Sequence, residues 1–176
     1  MKKLKLEELN RLSIEEYKEA PKNPVALVLD NVRSMNNVGS AFRTADAFAL
    51  EKVYLCGITA TPPHREIQKT ALGAENAVAW EHATDTAKLC KKLQEEGYKV
   101  LAVEQAEGST MLNQFKPEQD QKYALVFGNE VFGVDDKVME LADGCLEIPQ
   151  YGTKHSLNIS VSIGVVVWQV VNNKTC

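Results

Sequence analysis

Tyr123-Ala124-Leu125-Val126-Phe127-Gly128-Asn129-Glu130-Val131-Phe132-Gly133 passes from five unbroken apolar residues straight into a polar segment punctuated by two glycines. A short apolar run bounded by turn residues is the pattern of a strand buried on both faces, as in a parallel sheet covered by helices. The pattern recurs at Val25–Leu29, Val53–Cys56, Val100–Val103 and Cys145–Ile148. Between these runs the spacing turns helical. From Val38, Phe42, Ala45 and Ala49 share one side; His64–Leu72 can form a turn or two before Gly73. Thr84–Glu96 places Leu89 and Leu93 inward and ends at Gly97, a residue suited to closing a helix. Strands alternating with helices predict an α/β domain, a mostly parallel sheet flanked by helices.

The two ends read differently. Ser13-Ile14-Glu15-Glu16 has the form of a capping box, predicting a short helix to Ala20 that Pro21 and Pro24 then break. Residues 1–23 therefore read as a helical arm and 24–176 as the main domain. Leu157–Val171 is rich in β-branched residues, which favours a strand, but its length favours a helix. A helix is predicted. Ile159, Val161, Ile163, Val165, Val166, Val167, Trp168, Val170 and Val171 leave it almost no polar face, so it should be buried nearly all round. One small sheet covers only part of such a helix, which points to a homodimer with this helix and Val38–Phe48 in the interface.

Composition bounds the function classes. The chain has 176 residues, 44% hydrophobic and 25% charged, as expected of one soluble globular domain. The longest apolar run, within Ile163–Trp168, falls far short of the roughly 20 residues of a membrane span. The start, Met1-Lys2-Lys3-Leu4-Lys5, leads into acidic residues rather than an apolar segment, so no signal peptide is read. Cys56, Cys90, Cys145 and Cys176 are scattered, and His64, His82 and His155 do not cluster with them. That argues against a metal site and for a reduced, cytoplasmic protein. The net charge is −4, yet residues 22–74 carry +2 and residues 75–176 carry −6. Three of four arginines (Arg33, Arg43, Arg65) lie in the first stretch, and arginine is the side chain best shaped for phosphate. These are either solvated surface charges or a local nucleic-acid patch.

Three blocks follow predicted strands, at the ends where open α/β sheets bind ligands. They are Asn37–Thr44, Phe127–Gly133, and Ile148-Pro149-Gln150 through Ser156-Leu157-Asn158-Ile159-Ser160. Each has a plain structural reading beside the functional one. Asn37 and Gly39 are either helix-entry residues or site residues, and no G-x-G-x-x-G surrounds them. Gly128 and Gly133 suit ordinary turns. Glu130 suits acid–base work or pairing with an arginine. Ser156 and Asn158 suit a helix cap.

Together the blocks closely resemble the SpoU/TrmH-type RNA ribose methyltransferases of the SPOUT superfamily, over residues 24–172. The first motif, N-x-G-x-x-x-R-T, matches at Asn37, Gly39, Arg43 and Thr44; the second, G-x-E and a further glycine, at Gly128, Glu130 and Gly133. The third matches at Ile148, Pro149, Ser156, Leu157, Asn158 and Ser160. The resemblance implies a C-terminal trefoil knot, a homodimer with the site at its interface, and S-adenosylmethionine as methyl donor without a metal. It implies donor contacts at Gly128, Ile148 and Leu157, joined by Val103 and Glu104. Arg43 takes the activating role, read here as binding the adjacent phosphate and stabilising developing alkoxide charge, because a guanidinium is too weak an acid to act as a base. Asn37, Glu130, Ser156 and Asn158 hold Arg43, the loops and the ribose in register. The RNA surface is expected around Arg33, Arg43, Arg65 and Lys69, extended by Lys154, and His64–Arg65 is either an RNA-facing loop or a plain surface loop. The resemblance implies transfer or ribosomal RNA as substrate. The rival readings are a knotted RNA-binding or ribosome-assembly factor without catalysis, and a generic nucleotide-binding α/β enzyme.

Overall fold

The computed structural model describes residues 1–172, so Cys176 and the end of the chain lie outside the described residues. A 3-10 turn at Leu6–Leu9 and helix α1 (Ile14–Glu19) lead into β1 (Asn23–Asp30). Ser13 and Glu16 form the capping box read in the sequence, and Tyr17 of α1 is buried, its hydroxyl on the Ala45 carbonyl at 3.3 Å. Then come α2 (Met35–Ala47), β2 (Leu50–Cys56), α3 (Arg65–Ala71), α4 (Ala74–Ala77), β3 (Trp80–Ala83), α5 (Thr86–Glu95) and β4 (Tyr98–Val103). The chain continues through β5 (Thr110–Met111), β6 (Lys122–Phe127), α6 (Asp136–Leu141), β7 (Gly144–Glu147) and α7 (Ile159–Asn172).

The strands form one sheet in the order β3-β2-β1-β6-β4-β7-β5, with every pairing parallel. The continuous apolar runs serve two cores because successive side chains point to opposite faces. Leu27, Leu29, Tyr123, Leu125 and Phe127 fill one core with Phe42 of α2 and Ile163, Val166 and Val167 of α7. Ala26, Val28, Val100, Ala102, Ala124 and Val126 fill the other, under Leu89 and Leu93 of α5 and Val138 of α6. No helix among the described residues is long and apolar enough to cross a membrane.

One boundary needs correction. The helix expected from Val38 begins at Met35, because the Ser34 hydroxyl accepts from the Asn37 N–H and draws the first turn back by three residues. The last helix is covered only in part within its own chain. Ile159, Ile163, Val166, Val167 and Val170 are buried, but Val161, Val165 and Trp168 keep 50%, 41% and 59% of their surface exposed. Those three residues form an apolar stripe on its outer face, whereas Val167 belongs wholly to the core. Sequence reasoning missed β3, β5, α4 and α6, all of six residues or fewer. A marginal edge strand such as Trp80–Ala83, with Glu81 and His82 exposed, carries no continuous apolar run to find.

Candidate active site

β6, β4 and β7 are neighbours, and the loops leaving their C-terminal ends enclose a cleft of about 430 Å³. Val103 and Glu104 enter it after β4, Gly128 and Glu130 after β6, and Ile148, Ser156, Leu157 and Asn158 after β7. All five positions expected to contact the donor therefore meet in one cavity, with three of the five expected catalytic residues. Gln105 and Asn129 also line it. Neither was singled out from sequence; Asn129 was legible as the polar residue inside the glycine-bounded block.

The loop after β6 is held closed from both sides. Asn129 and Gly133 exchange backbone hydrogen bonds of 2.9 Å each way. A Cβ on Gly128 would run into the Gly133 and Val134 backbone, so this glycine permits a backbone approach that no side chain allows. Gly133 has φ +71°, and a Cβ there would strike the Glu104 carboxylate. That carboxylate accepts from the Val134 N–H at 3.2 Å and the Gln105 N–H at 2.9 Å, fastening the β4 loop to the β6 loop. The Gln105 side-chain amide donates to the His155 carbonyl at 2.6 Å, tying in the third loop.

Glu130 does not pair with an arginine side chain. Its carboxylate accepts from the Arg33 N–H at 2.9 Å, the Ser34 N–H at 3.0 Å and the Asn37 side-chain amide at 3.1 Å. Partial burial pushes its pKa up, but the bonds from Arg33, Ser34 and Asn37 outweigh that and hold the carboxyl below its ordinary range. A carboxylate so engaged at the N-terminus of α2 is suited to positioning, and poorly suited to taking up a proton at neutral pH. Asn37 is turned toward Glu130 and reaches the cleft only through it. Asn158 caps α7: its side-chain oxygen accepts from the Ser160 N–H at 2.8 Å and the Ser160 hydroxyl at 2.5 Å. Ser156 is exposed at the cleft wall.

Gly39 lies inside α2 rather than at its entry, where a Cβ would collide with Thr70 and the Ile67 carbonyl, so it sets the close crossing of α2 and α3. Arg43 is not in the cleft. It is exposed on α2 in a separate depression with Ser40, Lys69, Thr70 and Ser160. Arg43 makes no salt bridge among the described residues, and Lys69 lies 3.8 Å from Glu66 in an exposed pair of little energetic weight. Arg33 stands on the loop before α2, Arg65 and Lys154 are exposed, and the His64 ring accepts from the Glu66 N–H to cap α3. The four expected RNA-contacting residues thus spread over α2, α3 and the preceding loop. Among the described residues no group of three or more His, Cys, Asp or Glu side chains converges as metal ligands do.

Residues 24–168 match the family model described as the SpoU rRNA methylase family. The chain is 30% identical over 167 residues to the 23S rRNA (guanosine-2′-O-)-methyltransferase RlmB of Haemophilus ducreyi, covering 95% of this chain and 67% of that one. It is 30% identical over 144 residues to the protein of the same name from Neisseria meningitidis, covering 82% of this chain and 56% of that one. This chain thus spans between about half and two thirds of the length of these relatives. Among solved structures it is similar to an AdoMet-bound rRNA methyltransferase from Sinorhizobium meliloti, at TM-score 0.78 and 26% identity over 85% of this chain and 56% of that one. The A. aeolicus TrmH/SpoU tRNA modifying enzyme, at TM-score 0.80 and 23% identity over 91% of this chain and 80% of that one, shares the fold.

Proposed function

The chain belongs to the SpoU rRNA methylase family, and on that premise we propose that it transfers a methyl group from S-adenosylmethionine to a ribose 2′-hydroxyl of ribosomal or transfer RNA. One observation carries the reading. The two strand-end loops that bear the second and third family motifs converge with the loop after β4 on a single cleft, at a glycine whose Cβ position is filled by backbone.

The residues present fit such a donor. Leu146, Ile148 and Leu157 give the cleft apolar walls, and the close backbone approach at Gly128 holds the β6 loop in the shape that lines it. When bound, the donor supplies a methyl group on a sulfonium, a good leaving group. The protein's share is to align the ribose oxygen with that methyl and to stabilise charge as the hydroxyl loses its proton. Glu130 and Asn37 lock the β6 loop to α2, and Asn158 fixes the entry of α7. Arg43 binds the phosphate beside the target ribose and stabilises the developing alkoxide.

Arg43 lies outside its own chain's cleft, which supports a site completed by a second copy. The stripe of Val161, Val165 and Trp168 is the surface that copy covers. Phe48 packs edge-on against Trp168 at 6.2 Å, and Ile148 borders both the stripe and the cleft. Docked there, a partner carries its own α2, and with it a second Arg43, to the cleft rim. We also propose the trefoil knot, supported by the insertion of β6 between β1 and β4 and by Gln169 of α7 donating to the Phe115 carbonyl at 3.1 Å. No metal is needed.

The test is incubation with labelled methyl donor and total RNA from a strain lacking this protein, followed by mapping of the labelled ribose. Folded protein that binds the donor yet labels no ribose would instead support the non-catalytic RNA-binding reading.

A further inference from the structure

Beside the donor cleft, on the other side of the Gly128–Gly133 loop, lies a second cleft of about 530 Å³ that shares Asn129 and Gly133 with it. Two large apolar side chains stand at its mouth almost fully in water, Phe132 at 85% exposure and Ile58 at 69%. Both sit on loops that the fold holds firmly. The Asn129 side-chain oxygen accepts from the Val131 N–H at 2.9 Å and the Phe132 N–H at 3.2 Å. Asn31, left-handed at φ +54°, joins the two loops: its side-chain oxygen accepts from the Ile58 N–H at 3.2 Å, and its carbonyl accepts from the Asn129 amide at 2.8 Å. With Ile58 and its neighbour Val131, Phe132 makes an apolar cluster held out in solvent on tight, cross-braced loops, the kind of patch that marks an interaction site.

The polar lining narrows the occupant. Arg33 stands on one side without an ion pair among the described residues, while Asp135 and Asp136 stand at the start of α6. A phosphodiester entering deeply would meet those two carboxylates and that of Asp30, which also lines the cleft, and be repelled. A nucleobase would not: its flat face suits Phe132, and the amino edge of adenine, cytosine or guanine donates to carboxylate. Arg33 at the rim is placed for the phosphate that such a base brings with it.

Resting on the reading of the chain as an RNA methyltransferase, we propose that this cleft holds an unpaired base of the substrate RNA flanking the methylated nucleotide. The base stacks on Phe132 and Ile58, with its amino edge toward Asp136. The residue pair thereby selects for an amino-bearing base at that position.

The test measures binding of two short unstructured fluorescent oligoribonucleotides, one of mixed adenosine and cytidine and one of uridine only, alongside calorimetry of the demethylated donor product. The mixed oligonucleotide should bind more tightly. Phe132→Ala should weaken it by about 5- to 150-fold, the usual range for one lost base stack. Phe132→Trp should retain the affinity and show quenched emission on binding, and Asp136→Ala should remove the preference over uridine. Donor-product affinity should stay within about twofold in all three variants, because neither residue borders the donor cleft. Equal RNA binding by wild type and Phe132→Ala would overturn the proposal, as would a changed oligomeric state in Phe132→Ala without an RNA effect, which would mark a protein contact instead. Donor-product binding without RNA binding overturns this proposal alone; loss of both in folded wild type overturns the methyltransferase reading with it.

Discussion

Glu130 and Asn37, 93 residues apart, meet through a 3.1 Å hydrogen bond from the Asn37 amide to the Glu130 carboxylate. The bond fastens the loop after β6 to the first turn of α2, so the cleft proposed for the donor and the helix bearing Arg43 are braced together. Glu130→Ala leaves the Arg33 and Ser34 N–H groups without their acceptor and should cost about 0.5–2 kcal/mol, as loss of a helix cap does. The carboxyl pKa is lowered by folding, so its contribution is full above the unfolded value of about 4.3 and fades as pH falls through the folded one. Urea midpoints of wild type and Glu130→Ala should accordingly differ at pH 7 and converge in acid. A difference that persists below both values would show that the charge is not what matters.

Gly128→Ala should abolish donor binding and destabilise the protein by about 1–3 kcal/mol, because the added methyl meets backbone rather than a movable side chain. Calorimetry and thermal unfolding check both. A variant that binds the donor normally would mean that the loop can open at no cost.

Arg43→Ala should lower ribose methylation by about 10²–10⁴-fold. Donor affinity should change by less than about threefold, since Arg43 lies outside the cleft. Single-turnover rates beside calorimetry separate the two; near-normal turnover would remove Arg43 from the mechanism.

Val165→Glu and Trp168→Glu should leave a folded chain and convert a dimer to monomer, with methylation lost in parallel. Val167→Glu should unfold the protein instead, because Val167 is fully buried within one chain and an unpaired charge there is untenable. Light scattering and circular dichroism distinguish these outcomes. A wild-type protein that is monomeric and active would sink the proposed second copy.

Burial pushes the Cys56 and Cys90 thiols up to about 12. Both should resist a thiol reagent at pH 8 in the native protein and react once it is unfolded, since the thiolate is the reactive form. Rapid native labelling at either position, located by peptide mapping, would show that the core opens readily.

The sheet was legible because its central strands are buried on both faces and read as continuous apolar runs: Val25–Leu29 and Tyr123–Phe127 pair directly in register. α6 and β3 were not, since a six-residue helix and a four-residue edge strand hold too few apolar residues to show a period. Of the positions expected to contact the donor, Gly128, Ile148 and Leu157 were legible through motifs, whereas no motif marks Val103 and Glu104. Roles within the site were less legible. Glu130 reads equally as an acid, a base or an arginine partner until its three actual donors are seen.

By itself the sequence determined that this is an α/β protein with its motif-bearing loops at strand ends, and that α7 is apolar beyond what one chain needs. Those properties are local, written in runs, periods and turn residues a few positions apart. Only the tertiary structure decided that Arg43 stands outside the cleft its motif suggests, that Val161, Val165 and Trp168 rather than Val167 are left in water, and that Asn31 braces two exposed apolar loops. Each of these depends on which face of an element turns toward which neighbour. Residues on opposite faces of a helix carry the same apolar letters, and only the packed neighbours on one side tell them apart.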